Sequence, residues 1–258
     1  WGNGKIILTT RDSNIQNNKC VNYIVRIGEL TPHQKLNLFT KIMKTRNIDS
    51  FTTAQTEEIK KFLEAISPFP LDISIAAYYL KSTNVPYQKY LENLAQNNKD
   101  FASIQENLLK EAGNYTRTRY GIITLSLKHL IDTHKDFADL LLFISLLDSQ
   151  NIPRELLDKY KNNVIVDNFI YNLKKYSLIT SEPTYSSQIF TFSLHRSTQE
   201  ISLAYLLKTL DLEKNKLLLD PALDILESYL ISVIEKEDLT RLKLIITHGE
   251  KVLNLNNL

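Results

Sequence analysis

From Leu36 to Leu253 apolar residues recur three and four positions apart, and this spacing constrains the fold more than any other feature of the chain. Leu36, Phe39, Ile42 and Met43 form one stripe, and Ile59, Phe62, Leu63 and Ile66 form a second. Leu71, Ile73, Ile75, Ala76, Tyr79 and Leu80 fill a third helix. Each stripe is one face of a helix. The punctuation agrees. Thr31 is a good N-cap and Pro32 suits the first helical position. A second helix is predicted over 53–66, ended by Pro68 and Pro70. Pro70 opens the third, and Val85-Pro86 opens a fourth that reaches about Ala95. TLSLKHLIDTH, DFADLLLFISLLD, Pro153 to Tyr160 and VIVDNFIYNLKKYSLI continue the series, followed by ISLAYLLKTL, ALDILESYLISVI and LTRLKLIITHGEKVL. Only six glycines punctuate the chain, too few for an all-β protein built on tight turns.

A few segments depart from this pattern. KIILTT places Ile6, Ile7 and Leu8 side by side, which predicts a strand buried on both faces, as in a parallel sheet. In VNYIVRIGEL, Val21, Tyr23, Val25 and Ile27 alternate and predict a short strand. SLITSE and QIFTFSLH flank EPTYSS and predict a β-hairpin, while Asn151 to Pro153 read as a loop. Helices followed by that hairpin have the order of a winged helix. The polar stretch from Gln96 to Thr118 reads in part as a linker, and its Thr116–Arg119 run as a solvated basic spot. No 20–50-residue period repeats within the chain.

Totals exclude several functions. A formal net charge of +2 gives no footprint for nucleic acid. Cys20 is the only cysteine, so no internal disulfide forms, and a reducing, cytoplasmic setting is predicted. DLLLFISLL lies between Asp139 and Asp148 and is far shorter than the roughly 20 apolar residues of a membrane span, so no membrane partner is expected. A chain that opens on Trp1 without a signal pattern reads as a fragment.

Three positions carry candidate chemistry. Arg11 follows a strand at its carboxyl end, where open α/β sheets bind ligands, and its guanidinium can grip phosphate through paired hydrogen bonds. The alternative is a surface arginine beyond an edge strand. Pro70 offers a flat ring with no unsatisfied donor, or it simply starts a helix. His195 opens a helix, where an imidazole can donate to an anion that the helix N-terminus also favours. The alternative is a partly buried structural histidine. His33, His129, His134 and His248 lack metal-ligand spacing and read as surface or core residues. No nucleophilic triad or carboxylate pair stands out, and Cys20 beside Lys19 lies in a polar loop.

Four segments, taken in order, resemble the second half of the NB-ARC or STAND-type AAA+ switch ATPases. GNGKIILTTRD resembles their sensor strand, LTPHQKLNLF the helix after the last sheet strand, SPFPLDISIAAYYL the Gly-Leu-Pro-Leu-Ala motif, and FSLHRSTQEI the Met-His-Asp position. His195, Arg196 and Gln199 also match the His-Arg-Leu-x-Gln form found in bacterial members with downstream tetratricopeptide repeats. THGEKVL resembles the helix preceding such repeats. Pro68 stands where the family has Gly, Asp72 where it has Ala, and Arg196 where it has Asp. The phosphate-binding Gly-x-x-x-x-Gly-Lys-Ser/Thr and the acidic magnesium strand do not occur in these residues.

The resemblance implies a mainly α protein. Residues 1–30 would be the remnant of a P-loop α/β sheet, 31–111 a helical domain, 112–207 a winged-helix domain, and 208–258 a helical segment leading to repeats. It implies that Arg11 senses the terminal phosphate, oriented by Thr9 and Thr10, that Pro70 contacts adenine, and that His195 binds the β-phosphate of ADP and locks the closed state. ADP or ATP would be the cofactor, with magnesium held by the absent N-terminal part, so this chain would not hydrolyse ATP alone. Exchange to ATP would release His195 and let the winged helix swing away. Output would come through protein partners on the C-terminal helices or repeats, including a homo-oligomer.

Two alternatives stand beside this one. In the first, a winged helix reads DNA through VIVDNFIYNLKKYSLI. That helix is mostly apolar, with Lys174 and Lys175 opposed by Asp167, and so disfavours DNA. In the second, the chain is a helical scaffold for protein partners, which explains the C-terminal helices but not KIILTTR.

Overall fold

In a computed structural model, the described residues are 19, 21, 23–25, 29–44, 51–101, 114–179, 189–211 and 214–254. The predicted sensor strand, with Thr9, Thr10 and Arg11, lies outside them, as does Cys20. Among the described residues the protein is mainly α, with eleven α-helices and one two-stranded sheet.

The helices begin where the local chemistry starts them. Helix α1 (Pro32–Met43) is capped by Thr31, whose hydroxyl accepts the Gln34 N–H while the Gln34 side chain reaches back to Thr31. Helix α2 (Thr53–Glu64) repeats this capping box with Thr52 and Gln55. At its far end Lys35, buried on α1, donates to the carbonyls of Leu63 and Ile66, which satisfies acceptors left open by the helix terminus. Helix α3 (Pro70–Thr83) starts on Pro70 and stops at Asn84, which takes the left-handed conformation at φ 53°.

Helix α4 (Tyr87–Phe101) runs beyond the predicted end near Ala95, and α5 (Asn114–Thr133) includes the Thr116–Arg119 run. The stretch read as linker is therefore helical at both of its described ends. Together α1 to α4 enclose an aromatic cluster. Phe62 stacks on Tyr87 at 5.1 Å and meets Phe39 and Tyr90 at 5.5 and 5.6 Å.

Helix α5 packs against α3, α4, α6 and α9. Helix α6 (Phe137–Leu146) is buried along most of its length. Strand β1 (Ile152–Pro153), helices α7 (Arg154–Tyr160) and α8 (Asn163–Lys175), strand β2 (Thr191–Phe192) and helix α9 (Arg196–Thr209) follow. Strand β1 pairs antiparallel with β2, with Ile152 opposite Phe192 and Pro153 opposite Thr191. Ile179 forms an antiparallel bridge to Leu194.

This corrects the reading of 151–153 as a loop. A two-residue strand has no alternation to detect, and its proline cannot donate to the ladder. Among the described residues the two predicted hairpin arms meet through Ile179 and Leu194, while β2 pairs with β1. The strand predicted near Tyr23 is also corrected. At its described residues, Val21 and Tyr23 to Val25 are not in a strand, and Tyr23 is 85% exposed.

A 3₁₀ turn (Lys216–Leu218), α10 (Asp220–Glu235) and α11 (Leu239–Leu253) complete the chain. Helix α10 rests on α7, and α11 reaches β1. His248, on α11, is fully buried. Its Nδ1 accepts the Asp148 N–H at 3.1 Å, and Nε2 faces the Asn151 carbonyl at 3.3 Å. The ring is therefore neutral, with its proton on Nε2. Burial lowers its pKa below the ordinary 6.5, partly offset by the Asn151 carbonyl and the Asp148 charge.

A depressed histidine stabilises the fold above its unfolded pKa and loses that contribution as pH falls through the folded one. The docking of α11 is thus expected to weaken from about pH 6.5 downward. An NMR titration of the His248 ring should give a midpoint below that of an ordinary histidine, together with shifts in the α11 amides. An ordinary midpoint, with no change in α11, counts against this role.

Candidate functional site

Pro70 and His195 each stand at the start of a 14-residue helix. Both are exposed. The elements between them bring these helix starts to one place, around a pair of residues of which the motifs marked only Asp72, as a departure from the family's Ala. Asp72, in the first turn of α3, is completely buried. Its carboxylate accepts from Arg119 of α5, at 2.9 Å from Nε to Oδ1 and 3.3 Å from Nη2 to Oδ2. The Arg119 guanidinium also lies 4.9 Å from the centre of the Phe69 ring, beside Pro70. Arg119 is therefore not the solvated basic spot expected of Thr116–Arg119. A carboxylate two residues past Pro70, on a helix otherwise rich in Ile, Ala and Leu, was the available signal. Such a group folds inward only if a cation meets it.

Burial pushes the Asp72 carboxyl up, while Arg119, by hydrogen bond and by charge, pulls it back and His195 pulls more weakly. His195 feels both members of the pair in turn. Partial desolvation and then the Arg119 charge lower its pKa, while Asp72 and Glu200 raise it.

His195 is the N-cap of α9. Its Nδ1 accepts the Ser197 N–H at 3.3 Å and lies 2.8 Å from the Ser197 hydroxyl. Accepting through Nδ1 fixes the tautomer, so the neutral ring carries its proton on Nε2, where it is a donor. A lowered pKa keeps it in that form near neutrality. A neutral donor, a helix N-terminus and a nearby guanidinium together suit an oxyanion.

Neighbouring residues of the same motif are structural. Gln199 is buried, and its amide donates to the carbonyls of Ile144 and Leu147 at 3.1 and 2.7 Å, which closes the end of α6. Arg196 is exposed and pairs with Glu200 on its own helix. The positions of Thr9, Thr10 and Arg11 relative to the site lie outside the described residues. Among the described residues no group of three or more His, Cys, Asp or Glu side chains could hold a metal ion, and no helix is long and apolar enough to cross a membrane.

In comparisons with known proteins, no family model matches the chain, and no curated protein matches it significantly.

Proposed function

We propose that this chain is part of a nucleotide-dependent molecular switch of the NB-ARC/STAND class, in which Pro70 and His195 face one bound ADP. The observation that carries this reading is convergence. Two positions chosen from separate motifs start two helices at the same Asp72–Arg119 pair. ADP, when bound, supplies an adenine face and a diphosphate anion. Pro70 presents its exposed ring to the former, and His195 donates from Nε2 to the latter. The order α6, β1, α7, α8, Ile179 and β2 supports a winged helix that carries His195 at its end. The exposed Ile231, Ile234, Ile246 and Leu253 on α10 and α11 support protein partners, or a homo-oligomer, as the output. Thr9, Thr10 and Arg11 remain the proposed sensor, and a remnant of an α/β sheet the proposed setting of residues 1–30.

The reading also needs a phosphate loop and an acidic magnesium strand, which these 258 residues do not contain. The test therefore uses the protein at its full encoded length. His195→Ala is expected to weaken ADP binding about tenfold, the effect of losing one hydrogen bond to a charged group, as measured by titration calorimetry. Equal affinity in variant and wild type defeats the reading.

The DNA alternative has less support. The exposed face of α8 carries Val164, Asp167, Asn168, Tyr171 and Lys174, and Asp167 is paired with Arg154.

A further inference from the structure

We infer that Arg119 is a phosphate-binding residue of this same cleft, held in position by Asp72. The inference rests on the nucleotide reading above and adds to it a residue that no motif marks. Arg119 commits only one edge of its guanidinium. Nε and Nη2 donate to Asp72, whereas Nη1 has no hydrogen-bond partner among the described residues. A guanidinium has five N–H donors in a fixed fork, so a second edge stays open for a planar or tetrahedral oxyanion.

The side chain is 24% exposed, so it is not sealed from solvent. Its stem cannot wander, because a fully buried carboxylate grips one edge and the Phe69 ring lies against the guanidinium. His195, whose free donor is Nε2, feels the charges of both Arg119 and Asp72. Two donors of different kinds thus flank the start of α9. The ligand class is a diphosphate group, either as part of a nucleoside diphosphate or as free pyrophosphate.

Asp72 has two opposed effects. It orients the fork, and its negative charge offsets the attraction of Arg119 for an incoming anion. This second effect gives the proposal a signature that a merely structural ion pair lacks.

The experiment titrates ADP and inorganic pyrophosphate into the full-length protein by calorimetry, with wild type, Arg119→Lys, Asp72→Asn and His195→Ala compared. Arg119→Lys keeps a cation for Asp72 and removes the fork. It is expected to weaken both probes about tenfold. Asp72→Asn keeps an oxygen that can accept from Nε, removes the offsetting charge and is expected to tighten both about fivefold. A loss on ADP but not on pyrophosphate places Arg119 against the nucleoside and overturns the assignment. If Arg119→Lys does not fold, Asp72→Asn decides, and unchanged or weaker binding overturns the proposal. Wild-type affinity in Arg119→Lys alongside a loss in His195→Ala removes Arg119 from the site and leaves the nucleotide reading standing. Absence of binding in the wild type, or an unaffected His195→Ala, removes both.

Discussion

Replacing Arg119 by alanine is expected to destabilise the protein by roughly 3–5 kcal/mol at neutral pH, the range for breaking a buried ion pair by removing one partner. The loss exceeds the value of the pair itself. Asp72 is fully buried on α3, and without Arg119 its charge has neither water nor a cation beside it. Burial already raises its pKa, with Arg119 the main opposing influence. In the variant the carboxyl must rise further.

The sign of the pH dependence follows. An acid whose folded pKa lies above its unfolded value binds more protons when folded. Its penalty is therefore absent below the unfolded pKa and grows as pH rises through the folded one. Urea titrations should show the gap between wild type and Arg119→Ala narrowing from pH 7 to pH 4. A further variant carrying both Asp72→Leu and Arg119→Met should recover much of the loss, because no charge then remains buried. A gap below about 1 kcal/mol, the range of an exposed pair, or a gap independent of pH, would contradict the description of this pair.

Phe62→Ala is expected to cost a similar 3–5 kcal/mol, for a different reason. Phe62 is 2% exposed and touches three other rings from α1 and α4. Truncation leaves a cavity whose walls are held by separate helices and cannot close over it. In a chain of this size the melting temperature should fall by about 10 °C. Val164→Ala, at a site 66% exposed on α8, should stay within about 0.5 kcal/mol. Comparable losses at both sites would mean that the aromatic cluster is not a packed core.

The helices were legible because their signals are local. Thr31, Pro32 and Gln34 lie within one turn, and the stripes of α1 to α3 repeat within a few residues. Pairings between distant segments were not legible. Strand β1 was lost because two residues contain no period, and the partner that defines it is β2 rather than a sequence neighbour. The candidate site was half legible. Pro70 and His195 could be chosen from helix starts and motif order. Arg119 stood in a stretch that looked like linker, and its partner Asp72 is 47 residues away. His248 was similarly undetermined, because its burial depends on the turn at 148–151 folding beneath α11.

The packing of α5 against four other helices limits how the proposed switch could move. A helix of 20 residues is about 30 Å of stiff rod. It touches α3, α4, α6 and α9, and the exposed His129 ring meets Tyr79 of α3 and Tyr176 after α8 edge-on. Pulling α9 away from the start of α3 would either drag this rod off α3 and α4 or shear α9 along it. The pivot for a large swing therefore belongs at an end of the rod, and the two helical groups share one mechanical backbone instead of turning as independent arms.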